Sequence, residues 1–156
     1  MKHLNLDKIK AILERAPKEF EGMVAQVGFP TGKNYEDGTS VAYVATIHEF
    51  GAPEVNIPAR PFMRPTVRTK KQEWIKTIKD GVGQVVLGKM SAFDVLDVVG
   101  IQASADIQTT ISNIYSPPNS PETICRKGSS KPLVDTGLML ASVTNAVNKT
   151  GSEFSS

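Results

Sequence analysis

Cysteine occurs once in these 156 residues, at Cys125. A single thiol excludes an internal disulfide framework and a cysteine-based zinc site, and it suits a reducing compartment. Neither sign of charge dominates. Lys+Arg 18 against Asp+Glu 16 leaves +2, which is not the global footprint of a nucleic-acid-binding chain. No apolar run approaches the length of a membrane span, and the first residues lack the apolar core of a signal peptide. The expectation is a chain made in the cytoplasm, with no membrane partner. What remains is ordinary globular composition: 40% hydrophobic and 22% charged over a length that can enclose a core. One domain over 1–150 is expected. Residues 151–156 are small and polar apart from Phe154, and read as a frayed tail or a cloning remnant outside the fold.

Periodicity supplies the elements. Leu6, Ile9, Leu13, Ala16 and Phe20 form one apolar stripe of an amphipathic helix, started by Asn5 or Asp7 and kinked or divided by Pro17. Residues 23–29 are short, partly β-branched and stopped by Pro30, which predicts a strand; a helix continuing through Val24 also fits. A turn-rich loop follows over 31–39. Ser40 then N-caps a helix from Val41, and Gly51 ends it, with Pro53 beyond. Val41 to Val44 also fits a strand, but the glycine stop and the alanines favour the helix.

Pro53, Pro58, Pro61 and Pro65 punctuate the next segment. Each fixes its own φ and biases the residue before it towards extended backbone. An extended, stiff, non-helical arm over 52–65 is expected, and such an arm loses little entropy on binding. Val67, Lys71, Trp74, Ile75, Ile78 and Val82 recur at helical spacing, with Gly81 and Gly83 weakening the end. Ser91 and Asp94 have capping-box spacing. They open the longest stripe: Phe93, Leu96, Gly100, Ala103, Ile107, Ile111 and Ile114. A loop rich in Ser, Pro, Lys and Gly spans 115–132, one helical turn fits 138–141, and 142–147 has strand chemistry. Pairing 142–147 with 23–29 predicts an α+β domain: a small antiparallel sheet against several helices, plus the proline-rich arm.

Charge is uneven. Residues 60–79 hold Arg60, Arg64, Arg68, Lys70, Lys71, Lys76 and Lys79 against only Glu73, whereas no basic residue lies between Lys89 and Arg126. The bland reading is two solvated helix faces. A sharper one is complementary docking surfaces, and a third is a small nucleic-acid-binding module using 60–79. Trp74 is the only aromatic among those lysines and fits the apolar stripe, which argues against base stacking.

Catalytic patterns do not survive inspection. Asp135-Thr136-Gly137 after Leu133-Val134 matches an aspartic-protease signature, but too little chain follows to build a cleft. Asp135 is better read as capping the next turn, with Gly137 permitting a tight backbone. His48-Glu49 lacks the second histidine of a zinc-protease helix, and His3 is remote. Glu49, near the C-terminus of its own helix, is placed against the dipole and calls for an arginine such as Arg60 or Arg64. Cys125 beside Arg126 and Lys127 has cations but no oriented base. Gly128-Ser129-Ser130-Lys131 lacks the glycine spacing of a phosphate loop. No catalytic residue, metal or cofactor is expected.

Three blocks together resemble a known family: Val41 through His48-Glu49-Phe50-Gly51; Ile57-Pro58-Ala59-Arg60-Pro61-Phe62-Met63-Arg64-Pro65; and Pro117-Pro118-Asn119-Ser120-Pro121-Glu122-Thr123-Ile124, running on through Lys127-Gly128 to Pro132-Leu133-Val134-Asp135-Thr136-Gly137. In this order they resemble the neck or tail-completion proteins of long-tailed double-stranded-DNA bacteriophages, also described as minor tail or virion-morphogenesis proteins. The resemblance spans 41–137. It departs at Leu138, where the family pattern places a basic residue. It implies a structural virion protein of the neck that joins tail to head or completes the tail's upper end. It further implies a homo-oligomeric ring beside a connector, terminator or tail tube, with DNA at most passing through the channel. Independently, Arg60, Phe62, Met63 and Arg64 are residue types enriched at interface centres; packing of Phe62 and Met63 onto their own domain is the competing reading.

Overall fold

A computed structural model describes residues 6–118, 121, 125 and 137–154. In chain order the elements are α1 (Leu6–Glu19), β1 (Met23–Gly28), α2 (Val41–Phe50), a 3-10 turn (Pro53–Val55), α3 (Met63–Val86), α4 (Ala92–Ser112), α5 (Leu138–Ser142) and β2 (Thr144–Lys149). The fold is α+β, with one two-stranded antiparallel sheet packed against helices. Among the described residues, no helix is long and apolar enough to cross a membrane.

β1 and β2 pair from Met23↔Lys149 to Gly28↔Thr144, close to the pairing predicted from strand chemistry. The five residues of α5 take up 138–142, so β2 starts two residues later than 142–147 implies. One face of the sheet lies on α4. Gly100 of α4 makes that approach possible, since a Cβ there would sit 2.8 Å from Asn145 Cβ. Asn145 in turn donates to Asp97 Oδ1 at 2.8 Å. The main core gathers Val41 and Ala45 of α2, Phe62, Ile107 and Ile111 of α4, Met139 and Val143. A smaller cluster joins Ala16 of α1 to Val85 of α3 and Val95 of α4. α1 runs on to Glu19 with Pro17 inside it, so the proline does not divide the helix. A proline near a helix C-terminus removes one amide bond and leaves the earlier turns intact.

The capping box predicted for α4 is present. Asp94 N–H donates to Ser91 Oγ at 3.1 Å, and Ser91 N–H donates to Asp94 Oδ2 at 2.9 Å. The stripe predicted for α4 is only partly the buried one. Ala92, Val95, Val99, Ala103, Ile107 and Ile111 are buried, while Phe93 is 50% exposed. α4 is apolar on more than one face, so periodicity alone does not say which face turns inward. Gly81 of α3 decides it: a Cβ there would sit 2.5 Å from Val95 Cγ1. The glycine read as weakening α3 is therefore its crossing point with α4.

The segment between α2 and α3 differs most from expectation. It is not an extended arm over 52–65. Pro53–Val55 form a 3-10 turn, Asn56 is left-handed, and Ala52 bridges back to Ile57. α3 begins at Met63, which puts Arg64 and Pro65 inside its first turn. First-turn N–H groups have no partner within a helix, so a proline there loses nothing.

Candidate functional site

The first two blocks of the resemblance meet at Glu49. Gly51 ends α2, with its N–H on Ile47 O at 2.6 Å, and holds φ 77° and ψ 171°. This backbone region is essentially glycine-only. The chain then doubles back, so that Arg60 N–H donates to His48 O at 2.7 Å. A Cβ at Gly51 would lie 2.9 Å from Ala59 N and 3.1 Å from Ile57 O. Gly51→Ala is therefore expected to destabilise the fold by about 2 kcal/mol. Gly38→Ala, also at positive φ but with nothing within 4 Å, is the control for a positive φ without a clash. Thermal unfolding of the two variants separates these contributions.

The return brings the N-terminus of α3 onto the Glu49 side chain. Oε2 accepts from Phe62 N–H at 2.7 Å and from Met63 N–H at 2.8 Å. Oε1 accepts from Arg64 N–H at 3.1 Å and from Arg64 Nε at 2.8 Å. Arg64 Nη2 also donates to Glu49 O at 2.8 Å. Phe62 sits at the N-cap position of α3 and supplies no side-chain cap; the carboxylate of α2 does that work from 13 residues upstream. An anion at a helix N-terminus is favoured by the orphan N–H groups and the dipole together. Glu49 is 5% exposed. Burial pushes its pKa up, but the Arg64 guanidinium and the N–H groups of Met63, Phe62 and Arg64 outweigh that and hold it below the ordinary value. Both oxygens are committed to structure, so this carboxylate is not disposed to act as a general base.

Arg60 was an alternative partner for Glu49, and the structure assigns that role to Arg64. Arg60 is 6% exposed and reaches the third block. Its Nε donates to Pro117 O at 2.7 Å and its Nη2 to Pro118 O at 3.0 Å. Phe62 is 1% exposed in the main core, with its ring edge-on to Phe29 at 5.8 Å between centroids. Met63 is half-buried against the same core. Three of the four expected interface residues are therefore held by this chain's own fold. Arg64 differs: its side chain is largely exposed, and its guanidinium lies 4.8 Å from the ring centroid of Phe50, a cation–π stack. Phe50, not singled out by the sequence, is 63% exposed.

Ser40 takes the N-cap position of α2 in extended backbone, but its side chain makes no capping bond. Gly137 is left-handed at the start of α5, as the tight turn requires, and Asp135 lies outside the described residues. Beside the junction, an apolar cavity of about 420 Å³ is lined by Val27, Phe29, Ala42, Thr46, Phe50 and Met63 among others. Phe154 also lines it, and Thr31 N–H donates to Phe154 O at 3.2 Å, so the tail through Phe154 is docked rather than frayed. Among the described residues, no group of His, Cys, Asp and Glu is placed to hold a metal ion. Cys125 is exposed. No family model, curated protein or solved structure matches this chain.

Proposed function

We propose that this chain is a structural protein of the bacteriophage neck, completing the tail's upper end or joining it to the head through protein–protein contacts. The observation that carries the reading is convergence. Glu49 from the first block caps a helix begun by the second, and Arg60 from the second holds the Pro117 and Pro118 carbonyls of the third. The first two blocks and the described start of the third, Pro117 and Pro118, are thus connected to one another, which supports reading them together. The polar groups that connect them are engaged in holding the chain's own shape, as suits a part that works by fit.

The basic segment 60–79 offers less for duplex binding. Lys70 pairs with Glu73 at 2.9 Å, Lys76 with Asp80 at 2.9 Å, and Trp74 Nε1 donates to Asp106 at 2.7 Å. Electron microscopy of particles from a phage or prophage with this gene interrupted tests the proposal. Filled heads beside unattached or abnormal tails are expected. Normal, infectious virions would overturn the neck reading, and salt-dependent duplex binding by the purified chain would then favour the basic segment.

A further inference from the structure

The apolar cavity beside the Glu49 junction is large for a chain of this size to leave open. It measures about 420 Å³, and an apolar cavity of about 150 Å³ already holds benzene. The room comes from α2, which turns the small side chains of Ala42, Ala45 and Thr46 towards it. Val27 and Gly28, at the end of β1, and Met63 of α3 line it as well. Its two charged neighbours are engaged: Glu49 accepts from the α3 N-terminus, and Arg64 holds Glu49 while stacking on Phe50. What the cavity can recognise is therefore an apolar group.

The structure also shows what kind of group enters. A Cβ at Gly28 would lie 3.9 Å from Phe154 Cε1 and 3.9 Å from Met63 Cε, which puts the Phe154 ring at the end of β1, beside Met63. The segment that brings the ring there is held by its main chain. Thr31 N–H and Thr31 Oγ1 donate to Phe154 O at 3.2 and 3.4 Å, and Gln26 Nε2 donates to Ser152 O at 3.2 Å. Ser152 and Glu153 are themselves exposed. Main-chain hydrogen bonds with one side chain in a pocket are how a groove reads an extended peptide. Only the aromatic ring depends on the sequence of the segment, so any extended segment with a ring at that place meets the same donors.

We propose that this cavity is a docking site for an extended segment of a partner protein that carries a large aromatic side chain, tryptophan foremost, and that such a segment takes the place of Phe154. Phenylalanine leaves the cavity open, whereas an indole reaches more of its wall and gains the contacts that an unfilled space forfeits. The partner replaces the tail and does not join it, because both call on the donors of Thr31 and Gln26. The inference rests on the neck reading only for the premise that a partner protein exists.

The probe is the tail peptide with tryptophan in place of phenylalanine, acetyl-Gly-Ser-Glu-Trp-Ser-Ser-amide, added to the isotope-labelled full chain up to about 10 mM and followed by NMR, a range that captures weak contacts. In the wild type the tail competes at an effective concentration in the millimolar range. Phe154→Ala weakens that competitor, so the variant is expected to bind the peptide at least about ten-fold tighter than the wild type, with amide shifts at Gly28, Thr31 and Thr46. Adding Thr46→Lys, at an exposed position of the wall, is expected to abolish binding. Phe154→Trp in the full chain is expected to fill the cavity itself, melt above the wild type and refuse the peptide. A Phe154→Ala chain that shows no shifts at the highest concentration overturns the proposal. So do shifts confined to other residues, equal binding by the wild type, binding that Thr46→Lys leaves intact, or a Phe154→Trp chain that melts below the wild type. A Phe154→Ala chain that unfolds overturns it too, since a ring on which the fold depends cannot yield its place. Each of these leaves the neck reading standing, since that reading is judged on virions.

Discussion

Glu49→Gln is expected to lower stability by about 3 kcal/mol, the range for breaking a buried charged contact by changing one partner. In a chain of this length that is a fall in Tm of roughly 10 °C. Glutamine has nearly the same shape, so the loss is electrostatic. Each oxygen of Glu49 faces two donors, Phe62 and Met63 N–H on Oε2, Arg64 N–H and Nε on Oε1. Whichever way the amide is turned, its NH₂ meets two N–H groups with nothing to offer them. The α3 N-terminus then lacks its cap, and Arg64 loses its anion.

The same contact fixes a pH dependence. The folded pKa of Glu49 lies below its ordinary value of about 4.3. A depressed carboxylate contributes stability that is fully present above the unfolded-state pKa and is lost as pH falls through the folded one. Unfolding followed from pH 7 down to about pH 3 is expected to show the wild type losing its advantage over Glu49→Gln as the carboxylate protonates. Asp94 and Asp37, also held below their ordinary values by hydrogen bonds to Ser91 and Thr39, titrate in the same window in both proteins and cancel in the difference. An advantage that persisted undiminished at the acid end would refute Glu49 as the titrating cap.

Where the sequence misled, the reason was that a remote partner decided a local question. Ser91 and Asp94 are three residues apart and cap their own helix, so α4's start was legible. The start of α3 was not, because its cap is a carboxylate on another helix. Without Ser, Thr, Asp or Asn in the six residues before Met63, the prolines read as an arm. The available signal was Glu49 itself: an acid set against its own helix dipole needs a compensating site, and the uncapped helix downstream provides one. The strand pair was legible because β-branched residues and turn signals bound it closely. The inward face of α4 was not, because Phe93 and Leu96 follow the helical period as well as Ala92 and Val95 do. Tertiary contact at Gly81 and Gly100 chose between them. The residue types of the motif pointed to an interface, and burial reassigns them: Arg60 and Phe62 build the junction, while Phe50 and Arg64 face outward from it.

That reassignment changes what a loss of assembly would mean. Phe62→Ala is expected to cost about 3–5 kcal/mol, the range for removing a phenyl ring from a packed core. The ring is 1% exposed, packs with Val41, Ala45, Ile107 and Ile111, and meets Phe29 edge-on. Its loss leaves a void at the place where α2, α4 and the start of α3 come together. Phe50→Ala removes the same side chain from the surface, and is expected to change Tm by only a few degrees through the lost cation–π stack. Defective virions from Phe62→Ala alone therefore report misfolding and say nothing of a contact. Defective virions from Phe50→Ala, with melting and secondary structure near wild type, would place the contact on the outer face of the junction. If Phe62→Ala melted within a few degrees of the wild type, the phenyl ring would not be the keystone of this core, and its role as an anchor for a partner would be open again.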